Sequence, residues 1–111
     1  MVIAGPRRDE VWLVDLEPTQ GSEMKKTRPC LIISPDVMNQ HLRTVILAPM
    51  TTKIRTYPTR ISLTFGNKRG QVALDQLRAV DQARLRRRLG KLSDKVAETV
   101  ADTLVEMFER E

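Results

Sequence analysis

The stretch EVWLVDLEPTQGSEMKKTRPCLIIS, residues 10–34, holds two apolar runs around a polar middle. Glu10 to Leu16 is rich in β-branched and aromatic residues and reads as a strand. Glu17 to Arg28 is polar, contains Pro18 and Gly21, and reads as a loop. Pro29 to Ser34 is a short, continuous apolar strand. Outward from this unit the same punctuation continues. Pro35 to Leu42 is a connection. Thr44 to Met50 is a third strand, with Pro49 near its end, where a missing ladder donor is tolerated. Thr51 to Pro58 is a second polar loop. Thr59 to Phe65 alternates cleanly, with Ile61, Leu63 and Phe65 on one face and Arg60, Ser62 and Thr64 on the other. Gly66 to Gly70 reads as a turn and Gln71 to Val80 as a further extended segment.

The C-terminal part changes period. After Ser93, an N-cap candidate, Val96, Val100, Leu104, Met107 and Phe108 recur at spacings of three and four, which predicts an amphipathic helix docked on a sheet. Asp81 to Gly90 predicts a short helix begun at Asp81 and stopped near Gly90. Strands followed by a closing helix imply a small, strongly curved antiparallel sheet or half-open barrel with a C-terminal α-helix.

Length and composition frame this reading. The 111 residues predict one domain over 1–111, and a chain of this size buries roughly 65% of its unfolded surface, enough for a core without disulfides. The single cysteine, Cys30, cannot form an internal disulfide. No apolar run approaches the ~20 residues of a membrane span. The N-terminus has two arginines with no apolar stretch behind them, so no secretory signal is read there. A reduced cytoplasmic protein is expected. The net charge of +5 and a pI near 9.9 make a polyanion the first partner to consider. Four aromatics argue against a stacking platform for single strands. Trp12, Phe65 and Phe108 sit in apolar-patterned segments and are expected in the core, leaving Tyr57 alone in a loop.

Four blocks of the sequence carry a resemblance: VWLVDLEPTQGSE (11–23), TRPCLIISP (27–35), APMTT (48–52) with YPTRI (57–61), and VALDQLRAVD (72–81). In this order and spacing the chain resembles the MazF/PemK family of bacterial toxin endoribonucleases. The resemblance implies an SH3-like barrel with a C-terminal helix, as in MazF, CcdB and PemK. It also implies a homodimer, metal-independent and sequence-selective cleavage of single-stranded RNA with no cofactor, and neutralisation by a cognate antitoxin.

Cleaving RNA without a metal requires the 2′-hydroxyl to attack its own phosphorus. One group must take its proton, another must neutralise charge growing on the phosphoryl oxygens, and the 5′-oxygen must be helped to leave. The only histidine, His41, lies in a connection and reads as an exposed loop residue, which excludes a pair of imidazoles. Arg28 precedes Pro29, which forces an extended backbone and fixes where the side chain leaves the chain. Its guanidinium stays charged and offers five donors to phosphate oxygens, a task of transition-state electrostatics rather than of base catalysis. The resemblance places the family's catalytic arginine at Arg28 and its partner hydroxyl at Thr51, with Thr52 as the adjacent candidate. Glu23, five residues before Arg28, either accepts the 2′-proton or orients the guanidinium. Orientation is favoured, because a neighbouring cation lowers a carboxylate's pKa.

Asp75 and Gln76 match positions that in the family serve the active site or base recognition. PemK-type members carry an arginine two residues before that aspartate, where this chain has Ala73. Lys25, Lys26, Lys53 and Arg55 lie in the two loops flanking Arg28 and Thr51 and, with Tyr57, are expected to contact RNA. Arg84, Arg86, Arg87 and Arg88 form the densest basic run, either a phosphate contact or a solvated face. Asp15 and Glu17 share a strand face but lack a third ligand, so they read as solvent-facing carboxylates rather than a metal pair. The antitoxin is expected to present an acidic, extended C-terminal segment over the basic groove. A non-catalytic binding module on the same fold, such as a gyrase poison, is the competing reading; it has no need of the Arg-Pro and Thr elements present here.

Overall fold

The computed structural model describes residues 5–17 and 26–111. Within them the chain forms seven strands: β1 (Glu10–Glu17), β2 (Lys26–Ile32), β3 (Thr44–Thr51), β4 (Arg60–Phe65), β5 (Lys68–Ala73), β6 (Arg78–Asp81) and β7 (Leu85–Lys91). Helix α1 (Asp36–His41) lies between β2 and β3, and α2 (Asp94–Phe108) follows β7. Neighbours in the sheet run β4-β5-β3-β2-β1-β7, all antiparallel, and β6 joins β3. The curled antiparallel sheet with a closing helix is the architecture that the order of patterns predicts.

Strand β3 organises the sheet. One edge pairs with β2, and the other is shared, β6 taking Thr44 to Leu47 and β5 taking Met50 and Thr51. The break falls at Ala48 and Pro49, and proline offers the ladder no donor. Opposite this gap, between β5 and β6, the chain leaves the sheet for one 3₁₀ turn, Leu74–Gln76. Pro29 is placed by the same logic. β2 pairs with β3 only from Cys30 to Ile32, so Pro29 lies where that edge of β2 has no neighbour.

Alternate residues of β1, β2 and β3 face opposite ways, and both faces are buried. Val11, Leu31 and Ala48 pack with Ile61, Val72, Leu74, Leu92 and Val100 beneath α2. Val14, Leu16, Cys30, Ile32, Val45, Leu47 and Val80 form a second cluster inside the curl. This explains the uninterrupted apolar run at 30–33. Ser93 caps α2, its hydroxyl accepting from the Val96 N–H at 3.3 Å.

Several expectations are corrected. The polar loop ends earlier than its composition suggests, because Lys26 to Arg28 already pair with β1. The connection at 35–42 contains α1, held by buried Asn39, which donates to the Pro6 and Ser34 carbonyls. The β4–β5 turn is only Gly66 and Asn67, both at positive φ, the tight hairpin whose twist suits the flanking strands. The helix expected at 81–90 shrinks to one 3₁₀ turn, Gln82–Arg84, under an Asp81 cap. The rest is β7, because pairing with β1 satisfies its backbone and outweighs local helix preference. Phe108 is 69% exposed rather than buried, since α2 ends there.

Candidate active site

Arg28 and Thr51 come together through register. The β2–β3 ladder ends at Cys30 opposite Pro49. Continued two residues further, it sets Arg28 against Thr51, where the strands have parted and no longer share hydrogen bonds. The parting opens a cleft of about 510 Å³. Both half-buried residues line it, with Lys53 and Arg55 from the β3–β4 loop, Arg60 from β4, and Gln76 and Arg78 from around the 3₁₀ turn. Leu16, Pro49, Ala73 and Leu77 supply its apolar wall. Five cations thus face one concavity, whose low-dielectric walls concentrate a positive potential.

The hydroxyl of Thr51 accepts from the Lys53 N–H at 3.1 Å. That bond occupies an acceptor lone pair and leaves the hydroxyl proton available to an anion in the cleft. Behind Thr51, β5 passes close: a Cβ at Gly70 would stand 2.7 Å from the Thr51 carbonyl oxygen. Only glycine permits that approach without a backbone shift.

Asp75 is assisted by an arginine after all, from a different strand. Arg60 lies opposite Ala73 in the β4–β5 register. Its Nε and Nη2 donate to the two Asp75 carboxylate oxygens at 2.8 and 3.2 Å, and Thr59 Oγ1 adds a third bond at 3.0 Å. The Arg60 fork holds the Asp75 carboxyl below the usual carboxylate range, outweighing burial, which pushes it up, and the Thr59 hydroxyl adds to the lowering. The Tyr57 ring lies 5.1 Å from the guanidinium carbon, a cation–π contact. Arg60 is therefore fixed at the cleft wall, its side chain only 7% exposed.

Of the residues singled out in the sequence, Arg28, Thr51, Lys53, Arg55 and Gln76 line the cleft, while Tyr57 and Asp75 reach it through Arg60. Thr52 lines a smaller apolar pocket on the other side of Thr51, with Met50, Leu63 and Phe65. Glu23, Lys25 and the side chains of Glu17 and Lys26 lie outside the described residues. His41 is exposed at the end of α1, its ring nitrogen 2.7 Å from the Val37 carbonyl oxygen. Asp15 is not solvent-facing: it is 8% exposed and bound by Arg86 at 2.9 Å. A bulge in the β1–β2 ladder between Asp15 and Glu17 breaks the expected alternation. Arg86, Arg87 and Arg88 lie on an exposed face, and three of the four arginines in the 84–88 run have partners on β1. Arg86 and Arg88 pair with Asp15 and Glu10, and Arg84 donates to the Asp15 and Leu16 carbonyls.

Arg60 and Arg78 were missed. Arg60 stood on the polar face of an alternating strand, where arginine reads as solvated, and only the β4–β5 register reveals its carboxylate. Arg78 lies within the VALDQLRAVD block, and it lines the cleft while donating to the Leu16 carbonyl at 3.2 Å. Among the described residues no three His, Cys, Asp or Glu converge as metal ligands, and no helix is long and apolar enough to cross a membrane.

A curled antiparallel sheet with one C-terminal helix, and a cationic cleft where β2 leaves β3, define a class of small toxin domains. The chain belongs to the family described as PemK-like, MazF-like toxin of type II toxin-antitoxin system, which matches residues 7–108. It is 36% identical over 104 residues to the Endoribonuclease MazF of Staphylococcus saprophyticus, covering 88% of this chain and 87% of that one. It is similar to a mycobacterial endoribonuclease solved in complex with its cognate antitoxin, with a TM-score of 0.77 at 25% identity over 91% of this chain and 92% of that one. A MazE-MazF structure from Deinococcus radiodurans shares the fold, with a TM-score of 0.81 at 23% identity over 96% and 97% of the two chains.

Proposed function

We propose that the chain is a metal-independent endoribonuclease that cleaves single-stranded RNA sequence-selectively and leaves 2′,3′-cyclic phosphate and 5′-hydroxyl ends. The observation that carries this reading is the convergence of Arg28 and Thr51 on one cationic cleft. The ribose 2′-hydroxyl gives its proton to solvent as its oxygen bonds to the adjacent phosphorus, the P–O5′ bond breaks, and the 5′-oxygen takes a proton from solvent and leaves as a hydroxyl. Arg28 meets the charge growing on the non-bridging oxygens with paired N–H donors, and the Thr51 proton adds a third. Donors of this kind are worth about 3–4 kcal/mol each when aimed at developing charge. A cleft lined by guanidinium and ammonium groups repels a divalent ion, which supports chemistry without one. Glu23 is assigned to orienting Arg28. Lys53 and Arg55, with Lys25 and Lys26, attract the phosphate backbone, while Tyr57, Asp75 and Gln76 border the path of the bases.

The same cleft suits an acidic, extended C-terminal segment of a cognate antitoxin, which would occlude Arg28. The family membership and the curated relative support a cytoplasmic toxin that arrests growth by cutting RNA and so inhibiting translation. The chain acts as one domain and pairs as a homodimer. The apolar groove between α2 and Ile33, Pro35 and Ile46, ending at exposed Phe108, is the surface assigned to the second copy. Phe108→Glu is expected to shift the dimer towards monomer in sedimentation.

The deciding experiment incubates an unstructured RNA in EDTA with the wild type and Arg28→Ala. Wild-type cleavage with cyclic-phosphate ends, lost on substitution while RNA binding persists, is the expected result. Equal cleavage by both proteins, or by neither, overturns the reading.

A further inference from the structure

Gln71 sits in β5 with only 3% of its surface exposed, an amide in a strand that otherwise buries Val72 and Ala73. A buried amide needs partners for its donors and its acceptor. Gln71 finds two of them on one residue. Its Oε1 accepts from the Arg55 N–H at 3.0 Å, and its Nε2 donates to the Arg55 carbonyl at 3.0 Å. Nε2 also donates to Ser62 Oγ on β4 at 3.2 Å. Exchanging both bonds with one residue is what a neighbouring strand does in an antiparallel ladder. Here a side chain does it for a loop.

Among the described residues, the other hydrogen bond from this loop's backbone to a strand is that of the Lys53 N–H to the Thr51 hydroxyl. Among the described residues, no backbone–backbone hydrogen bond holds residues 52–56 to the sheet. Gln71 is also the residue paired with Thr51 in the β3–β5 register. It therefore stands across from the cleft hydroxyl while fixing the backbone that carries Lys53 and Arg55 into the cleft.

We infer that Gln71 is a positioning residue for substrate binding, whose amide holds the β3–β4 loop so that Lys53 and Arg55 meet the phosphates of single-stranded RNA. This rests on the reading of the cleft as an RNA-cleaving site. Cations on a pinned loop lose less conformational freedom on binding than cations on a loose one. The requirement is for an amide of this length. Glutamate keeps the acceptor but loses the donor and buries a charge, asparagine is one methylene short, and methionine keeps the length without polar atoms.

The test is Gln71→Met in the full chain, with initial cleavage rates on a labelled, unstructured, mixed-sequence RNA between about 50 and 200 mM salt. KM is expected to rise about tenfold with kcat changed less than about threefold, the signature of lost binding rather than lost chemistry. The slope of log affinity against log salt becomes shallower by about 1.4, two phosphate contacts at ~0.7 each. In a Lys53→Ala, Arg55→Ala background the substitution adds nothing, because it acts through those residues. In the protein without RNA, the Arg55 amide hydrogen exchanges faster. Gln71→Glu, a second variant of the same size, shows the same rise in KM. An unchanged KM and salt slope, or an undiminished cost in the double-alanine background, overturns the inference. A wild type that neither binds nor cleaves RNA overturns the reading of the site instead, and the exchange measurement then still decides whether Gln71 holds the loop.

Discussion

Along the β1–β7 edge, Arg86 meets Asp15 at 2.9 Å and Arg88 meets Glu10 at 2.7 Å. In the cleft, Arg28, Lys53 and Arg55 pair with no carboxylate among the described residues. The first region has the greater density of arginine in the sequence, yet two of its four arginines are matched by carboxylates of β1. The second gathers separate cations from β2, β4, β6 and the β3–β4 loop, and leaves three of them for an external anion. Counting basic residues along a chain therefore misplaces the electrostatic centre. Strand pairing decides which guanidinium finds a carboxylate, and a cation already matched contributes little to the field a polyanion meets.

The sharpest way to break this contrast is to keep the charge and change its geometry. Arg28→Lys retains a cation but loses the fork that grips two oxygens, and cleavage is expected to fall about a hundredfold. Arg88→Lys at the paired edge is expected to leave the rate within about twofold, because an exposed pair is worth little. Equal losses at both positions, measured as initial rates on one RNA, would erase the distinction.

A smaller effect separates stability from binding. Arg86→Ala removes one ion-pair partner of the buried Asp15 carboxylate and is expected to cost about 1 kcal/mol, read as a lower urea midpoint. The salt dependence of RNA binding stays unchanged. Lys53→Ala with Arg55→Ala does the reverse: the urea midpoint holds while the salt slope falls by about 1.4.

The contrast also marks where sequence reading succeeds. Strands β1 to β4 and helix α2 were legible because their apolar periods agree with local propensity, and Ser93 marks the start of α2. The apolar stripe at 96, 100, 104 and 107 packs as its spacing predicts. The expected helix at 81–90 fails because β7 is specified by a long-range partner, β1, which no local pattern announces. Asp15 fails because Arg86, arriving from β7 across the sheet, covers it, and no local pattern announces that partner. Arg28 and Thr51 were legible as candidates through the resemblance, and their shared cleft follows from ladder register, a tertiary quantity. The Arg60–Asp75 fork and the Gln71 tether were invisible for the same reason, since each partner lies about fifteen residues away on another element.

The smallest predicted effect tests what Asp75 is for. Arg60 holds its carboxyl below the usual carboxylate range in the folded chain. A folded value below the unfolded one means the pair stabilises the fold above the unfolded value of about 3.9 and loses that contribution as pH falls through the depressed folded value. The difference in urea midpoint between wild type and Asp75→Asn is thus expected to stay flat from about pH 5 to 8 and to shrink below about pH 4. It is small throughout, because water reaches the carboxylate and screens it. The same depressed value makes Asp75 a weak base near neutrality, so its task is to hold Arg60 against the cleft wall. Asp75→Asn should therefore keep the rate profile of the wild type between about pH 6 and 8 and raise KM as Arg60 loses its fork. If kcat instead falls as far as in Arg28→Ala, Asp75 takes part in the chemistry, and the cleft has two reacting centres rather than one.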